Sequence, residues 1–499
     1  MKTRVIVVGA GPVGLMLAGE LMLGGADVTL YDKLPSPSGE SRALGFTRRV
    51  AEVFDQRGLL TRLGSYRQGQ NGHFGGVGID LGMLDESHHG VLGLPQARTE
   101  EMLGNWLTEL GVPVRRGYEL RDFHETEDGI VAGFEGPDGR HEAEAAYLVG
   151  CDGGQSTVRA LAGIEAPGWE STRGMYMADV TGVELPQRPT GKHVRGGHMI
   201  LSVSLGDGYY RILIHDRGLP PHPDTATLTF TDVADAWQRM TGQSIHHGKA
   251  RWMAAFSNGA GLATDYRRGR VLLAGDAAHE TPPLAGWGLA TGIQDAVNLG
   301  WKLAAVVSGS APESLLDTYH FERHPLGQQL LRNTHAGSTL YLSGEEIDPL
   351  RDVMTELMTD KNVAAHFAGM ISGLGVRYDM GSGSGSHPLL GRRLSPDREL
   401  QRPDGSRTRV TELLHAGRAV LITTDGCGEA ARLAAAWSDR VDLVTGSWVP
   451  VESDSLLNAV PDSALVRPDG YIAWAAPDGG DLSDALDRWL GTARATANA

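Results

Sequence analysis

The sequence predicts an α/β protein in three parts. A parallel-stranded unit opened by a βαβ motif is interrupted by a mostly antiparallel sheet and followed by a small C-terminal α/β unit. Three observations predict it. Residues 5–8 form a short β-branched run closed by glycine, an apolar helical pattern covers 15–24, and a second strand-like run covers 27–31. Alternating stretches at 198–205 and 209–215 read as half-buried antiparallel strands. Beyond the Gly/Ser-rich stretch at 379–386, short strand and helix patterns resume as a separate unit.

In chain order, 41–64 reads as helical, with Val50, Val53, Phe54, Leu59 and Leu60 as its apolar face. Residues 70–95 are rich in Gly and His and read as strands and loops, and 99–111 is a helix. From 114 to 149 a meander of strands is marked by Glu-Asp-Gly and Pro-Asp-Gly turns at 127–129 and 137–139. Residues 175–257 form the antiparallel sheet, 271–274 a buried strand and 289–308 a long helix. In the last unit, 419–423, 441–445 and 471–474 read as strands, and 429–437 and 482–490 as helices. The stretch at 379–386 is expected to be a flexible linker.

At 499 residues the chain exceeds one hydrophobic core, and an apolar share of 41% with 21% charged residues excludes wholesale disorder. A formal charge of −16 disfavours nucleic-acid and anionic-lipid partners. Two cysteines, Cys151 and Cys427, make neither a disulfide framework nor a thiolate metal site, and they suit a reducing cytoplasm. The apolar run from Val5 to Leu23 behind Lys2 and Arg4 superficially resembles a signal peptide. Its patterned Gly9, Gly11, Pro12 and Gly14, together with Glu20, fit a strand, turn and helix better. No other stretch approaches the length of a membrane span. His88-His89 and His246-His247 lack the spacing of a metal site, so no metal is expected.

Three motifs carry chemistry. Gly9-Ala-Gly11-Pro-Val-Gly14 follows a strand and opens a helix. Its first glycine permits the tight turn, its second lets a pyrophosphate approach, and its third lets helix and strand pack. Asp32, at the end of the second strand, is placed to accept both hydroxyls of an adenosine ribose. The second motif is Asp152-Gly153 at a strand end, ahead of Ser156 and Arg159. The third is Gly275-Asp276-Ala-Ala-His279, followed by Pro282, Pro283, Gly286 and Gly288 and a helix beginning at Leu289. Asp276 can bind a polyol, and that helix aims N–H donors at whatever lies before it.

In this order and spacing the motifs resemble the FAD-dependent aromatic hydroxylases, single-component flavoprotein monooxygenases typified by para-hydroxybenzoate and phenol hydroxylases. Ser41-Arg42-Ala43, Pro95-Gln96-Ala97-Arg98-Thr99-Glu100, 315–319 and 372–378 are similar to the branch that tailors aromatic polyketides. The resemblance spans the chain. It implies a Rossmann-like FAD-binding domain in two parts, 1–174 and 261–378, with 70–95 contributing to the substrate pocket. It further implies a substrate-binding sheet domain at 175–260 and a thioredoxin-like domain at 387–499 that lacks Cys-x-x-Cys and is structural. Gly9, Gly11, Gly14 and Asp32 would hold the ADP half of FAD. Arg42 and Gln96 would contact the cofactor, Asp152 would lie in a motif tied to FAD and NAD(P)H, and Asp276 would bind the ribitol. Pro283, Gly286, Gly288, Leu289 and Ala290 would flank the flavin ring.

The implied reaction begins with hydride transfer from NADH or NADPH, which docks transiently, and O2 then gives a flavin C4a-hydroperoxide that hydroxylates a small aromatic substrate, here a polycyclic polyketide. The implied protein is a cytoplasmic monomer or homodimer. Where the family reads x-Gly-Gly-Gln-Gly-Leu-Asn after the proline, this chain has Leu284-Ala-Gly-Trp287-Gly-Leu-Ala290. Ala285 adds a methyl, Trp287 a new wall, and Ala290 removes an amide that could cap the helix, worth about 1 kcal/mol. Retuning of the pocket and altered oxygen chemistry both remain open. So do Baeyer–Villiger oxygenation, a flavin dehydrogenase or oxidase, and a non-redox isomerase or cyclase using FAD as scaffold. No catalytic base is identifiable. His73, His89, His198, Tyr210 and Trp287 are the pocket candidates, and each polar one also reads as an ordinary hydrogen-bonded structural residue. His279 reads as a brace for its loop.

Overall fold

The computed structural model describes residues 4–84, 90–194, 198–284, 286–381, 385–424, 428–451 and 459–493; His88, His89, Ala285 and Cys427 lie outside them. The protein has a mixed α/β fold. Its central six-stranded sheet runs in the order Arg267–Arg268, Val271–Leu273, Tyr147–Gly150, Arg4–Val8, Asp27–Asp32, Val114–Arg116. All pairs are parallel except the first, and Val5 stands between Tyr147 and Val28. Parallel strands buried on both faces need unbroken apolar runs, and Val5, Val7, Leu148 and Leu272 are indeed fully buried. The first helix, Pro12–Leu23, packs between this sheet and the long helix Trp287–Val307. The strands Glu119–Glu125, Ile130–Gly136 and Gly139–Ala145 form the antiparallel meander beside it.

The second sheet has five antiparallel strands, in the order Arg188–Val194, His198–Gly206, Tyr209–His215, Gly174–Thr181, Lys249–Ser257. One face is covered by the helix Phe230–Thr241, which sequence reading missed although Thr229 and Asp232 form a capping box at its start. Alternation assigns the residues: Ile200, Ile212 and Ile214 pack under that helix, while Met199 and Leu213 face the other way.

The C-terminal sheet runs Val441–Thr445, Ala419–Thr423, Ser463–Val466, Ile472–Ala475, with only the first pair parallel. Val420, Ile422, Val466 and Ile472 make one face with Leu389, Leu394 and Leu400. The opposite face, with Leu421 and Leu465, joins Trp301 and Leu315 of the preceding unit. The last unit therefore shares one of its two cores.

Three expectations are corrected. The helix over 41–64 is only Arg48–Asp55, followed by a 3-10 turn at Leu60–Leu63. Gly45 instead enters a short strand, where an added Cβ would stand 2.3 Å from Leu92 O. The described ends of the supposed flexible linker are packed: Met380 is buried in the shared core, and Ser386 N donates to Asp478 O. A Cβ on Gly385 would meet that same carbonyl at 2.1 Å, so this glycine permits close approach rather than freedom. Finally, the long helix begins at Trp287, not Leu289, with Gly286 as its N-cap. Among the described residues, no helix is long and apolar enough to cross a membrane.

Candidate active site

The first strand ends at Gly9, whose φ of +104° turns the chain into the first helix. A Cβ on Gly9 would lie 2.3 Å from Cys151 O, and one on Gly14 only 1.9 Å from Gly9 O, so both glycines serve packing. Gly11 differs: nothing lies within 4 Å of its Cβ position. It is the N-cap of a helix without a side-chain cap or an acidic first turn, so free N–H groups face open space. Asp32 accepts from Ala10 N at 2.6 Å and Leu34 N at 2.7 Å, which fixes its carboxylate beside that opening with lone pairs to spare.

Arg42 and Gln96 sit on the neighbouring loop. Arg211, buried and ion-paired to Asp179 of the antiparallel sheet, donates to Ser41 O at 2.6 Å and to Arg42 O at 3.3 Å. The Arg42 guanidinium itself is exposed. Gln96 accepts from Ala43 N at 3.3 Å and donates to Glu100 at 2.8 Å, so it braces the same loop.

Asp152 turns its carboxylate into its own motif, accepting from Ser156 Oγ at 2.5 Å and Val158 N at 3.0 Å. Arg159 then donates to Ala277 O at 2.8 Å, joining the second motif to the third.

The third motif borders open space at Asp276 and Gly286. Asp276 is open to solvent, yet desolvation by the surrounding protein raises its pKa, with Asp295 adding to the rise and His279 and Arg42 opposing it. The Asp276 carboxyl is thus accessible yet flanked by protein, and Arg42 is near enough to act on it. Asp276 Oδ1 stands 3.7 Å from the Cβ position of Gly288, which places it beside the first turn of the long helix. That helix also begins without a side-chain cap or early acidic residue, at Gly286 with φ +69° and no atom near its Cβ position. Pro283 is half-buried on the intervening loop. Leu289 and Ala290 pack on the main core, and Ala290 is the fourth helical residue, so the expected loss of a cap at Ala290 does not arise.

Behind the Gly275–His279 turn lies a network that sequence reading missed. Asp295 accepts from Gly275 N at 3.1 Å and pairs with His279 Nε2 at 2.6 Å and Arg323 Nε at 2.7 Å. Burial works against the charge of Asp295, but Arg323 and His279 win and hold it below the usual carboxylate range. His279 thus braces its loop, as read. The available signal was a lone acid in the apolar stretch 289–308, which a buried helix tolerates only when paired.

The pocket candidates separate by face. His198 and Tyr210 lie on the side of the sheet covered by the helix Phe230–Thr241: Tyr210 packs with that cluster, and His198 approaches Asp216, the partner of Arg239 on the helix. They are removed from the opposite face, where Leu284 of the third motif joins Met175, Met177, Met199 and Leu213. The alternation of residues 198–215 was legible, but which parity faced the third motif was not. His73 stacks on Tyr341 of that cluster at 5.3 Å, and burial lowers its pKa. Trp287 stacks on Phe74 at 6.1 Å, with its buried indole N–H unpartnered.

Two uncapped helix N-termini, open space at Gly11 and Gly286, and an accessible Asp276 fit a long dinucleotide with a pyrophosphate, a polyol and a ring. Residues 2–334 match the FAD binding domain family, and 387–493 match the aromatic-ring hydroxylase C-terminal family. The chain belongs to the FAD-dependent aromatic hydroxylases. It is 41% identical to the 12-dehydrotetracycline 5-monooxygenase/anhydrotetracycline 6-monooxygenase of Streptomyces rimosus over 98% of this chain and 99% of that one. It superposes on CabE, an aromatic hydroxylase from angucycline biosynthesis, with a TM-score of 0.94 and 49% identity, covering 99% of this chain and 100% of that one. It is also 35% identical to the dialkyldecalin synthase of Streptomyces rugosporus, over 99% of this chain and 100% of the relative. The protein is accordingly an FAD-dependent monooxygenase.

Proposed function

We propose that this enzyme uses NADH or NADPH and O2 to hydroxylate a polycyclic, polyketide-type aromatic. One observation carries the reading. Leu284, on the loop between Asp276 and the long helix, packs in one cluster with Met175, Met177, Met199 and Leu213 of the sheet, with Trp252 and Phe256 against them. The loop that would hold the flavin is therefore anchored on the apolar side of the sheet, where the half-buried Leu201, Trp252 and Phe256 would meet a flat, largely apolar ring system. The S. rimosus relative is named for 12-dehydrotetracycline and anhydrotetracycline, which are ring systems of that class.

Bound FAD supplies the electron transfer and oxygen activation. The chain positions and shields. Gly11 and the first helix would hold the pyrophosphate, Asp32 the adenosine ribose, and Asp276 the ribityl chain. The uncapped N-terminus of the helix Trp287–Val307 would stabilise negative charge that develops on a ring held in front of it. The apolar sheet face excludes water. His73, kept neutral by desolvation, accepts from Gly76 N at 3.3 Å through Nδ1, which leaves Nε2–H to orient a substrate oxygen. The C-terminal unit is a thioredoxin-like appendage without redox function, since Cys151 and Cys427 are the only cysteines. A cytoplasmic setting, as a monomer or homodimer, suits the reductant.

The test is single-turnover oxidation. Enzyme reduced anaerobically by NAD(P)H and mixed with labelled O2 and a polycyclic phenol should place one labelled oxygen in the product per NAD(P)H consumed. Product carrying no label contradicts the reading. A second reading, FAD as scaffold for a cyclisation, is favoured by the dialkyldecalin synthase relative. Turnover without NAD(P)H or O2 would select it.

A further inference from the structure

The turn that carries Asp276 is held by a buried polar chain that ends in the C-terminal unit. Asp295 takes the N–H of Gly275 at 3.1 Å, and Arg323 takes Asp295 at 2.7 Å. The other two Arg323 nitrogens donate to Thr291 O at 3.0 Å, early in the long helix, and to Tyr378 Oη at 3.1 Å. Tyr378 lies against Tyr471 of the C-terminal unit at 4.2 Å, and the Arg467 guanidinium stands 5.4 Å from its ring centroid. Arg467 is fixed in turn by Glu322, at 2.6 and 2.9 Å, and by Asp469 at 3.0 Å. Asp295, Arg323, Tyr378 and Arg467 are each at most 5% exposed, so bulk solvent does not stand ready to replace a lost partner.

Resting on the FAD reading above, we propose that Tyr378 is a positioning residue through which the C-terminal unit sets the flavin-holding turn, so that FAD affinity and flavin electronics depend on residues outside that turn. The Tyr378 hydroxyl keeps Arg323 oriented across Asp295 and Thr291. Without it, one buried guanidinium N–H loses its acceptor, Arg323 shifts toward another, and Asp295 no longer fixes Gly275 and His279 in register. The long helix and the Asp276 turn then cease to face a bound flavin at one fixed separation.

Tyr378→Phe isolates the effect, because it keeps the ring on Tyr471 and removes only the hydroxyl. The full-length apoprotein is titrated with FAD, and the flavin spectrum, midpoint potential and apoprotein Tm are recorded. The FAD dissociation constant should rise about 3- to 10-fold with an altered flavin band and potential, while the Tm falls no further than in the control variant. Val420→Ala, on the far face of the C-terminal sheet, is the control: it should lower the Tm and leave FAD affinity and spectrum unchanged. Wild-type affinity and spectrum in Tyr378→Phe would overturn the proposal. So would an equal loss of FAD affinity in Val420→Ala, which would reveal only general destabilisation. A wild-type protein that binds no FAD at all would instead remove the cofactor assignment itself.

Discussion

The strand ends at Gly9 and at Gly275 do the same work by different means. At the first, the turn is shaped by glycines that pack on each other and on Cys151, and by Asp32 bonded to Ala10 N and Leu34 N. Apart from Cys151, everything needed lies in one βαβ unit. At the second, Gly275 and His279 are held by Asp295, which depends on Arg323, which contacts Tyr378. One grip is written locally; the other is assembled from distant helices and braced by the last unit. Mutations should therefore act differently at the two ends.

The sharpest contrast lies among the glycines. Gly14→Val would drive its Cβ into Gly9 O, at 1.9 Å, and should prevent folding, seen as loss of soluble protein. In Gly11→Val the added Cβ meets nothing within 4 Å, and the φ is an ordinary −77°. It should leave the apoprotein Tm unchanged and still weaken FAD binding by roughly 100-fold or more, because the side chain fills the pyrophosphate position. At the other end, Asp276→Ala should purify with little flavin, its affinity down about 10- to 100-fold for one lost charged hydrogen-bonding group. An unfolded Gly11→Val or a fully flavinated Asp276→Ala would break the comparison.

Asp295→Asn should act on fold and cofactor together, since it strips the counter-charge from buried Arg323. A loss of about 3 kcal/mol in denaturant unfolding is expected, along with weaker FAD binding. The C-terminal brace supplies a pH test. Arg467 and Lys302 outweigh burial and hold Glu322 at about 2, below its usual 4.5. A depressed carboxylate stabilises the fold above pH 4.5 and loses that contribution as pH falls toward 2. Unfolding free energy should therefore fall steeply across that window, and Glu322→Gln should flatten the slope while lowering stability at neutral pH. The smallest effect belongs to Trp287→Phe, which keeps the stack on Phe74 and removes the unpartnered N–H. FAD affinity should hold while substrate KM changes a few-fold, on the order of one hydrogen bond.

The difference between the ends also explains what the sequence disclosed. Gly9, Gly11, Gly14 and Asp32 stand in fixed spacing inside one short segment, and the strands and helix they imply formed with boundaries within a few residues. Asp276 and His279 were visible as a motif, but Asp295, Arg323 and Tyr378 were not, because no local pattern says which distant side chain pairs with a buried acid. His198 and Tyr210 failed for a related reason. Periodicity sorts the residues of a strand into two faces without saying which face the rest of the protein covers, and the unrecognised helix Phe230–Thr241 decided it. The linker misled through composition: glycines suggest freedom, yet Gly385 and Met380 are packed.

The central claim is that both strand ends grip a single FAD. Equilibrium titration of the full-length apoprotein, following flavin fluorescence, tests it directly in wild type, Gly11→Val and Asp276→Ala. The account predicts one FAD per chain in wild type and a separate, large loss in each variant while the apoprotein stays folded. A folded wild-type protein that remains colourless, or either variant binding FAD as tightly as wild type, would contradict it.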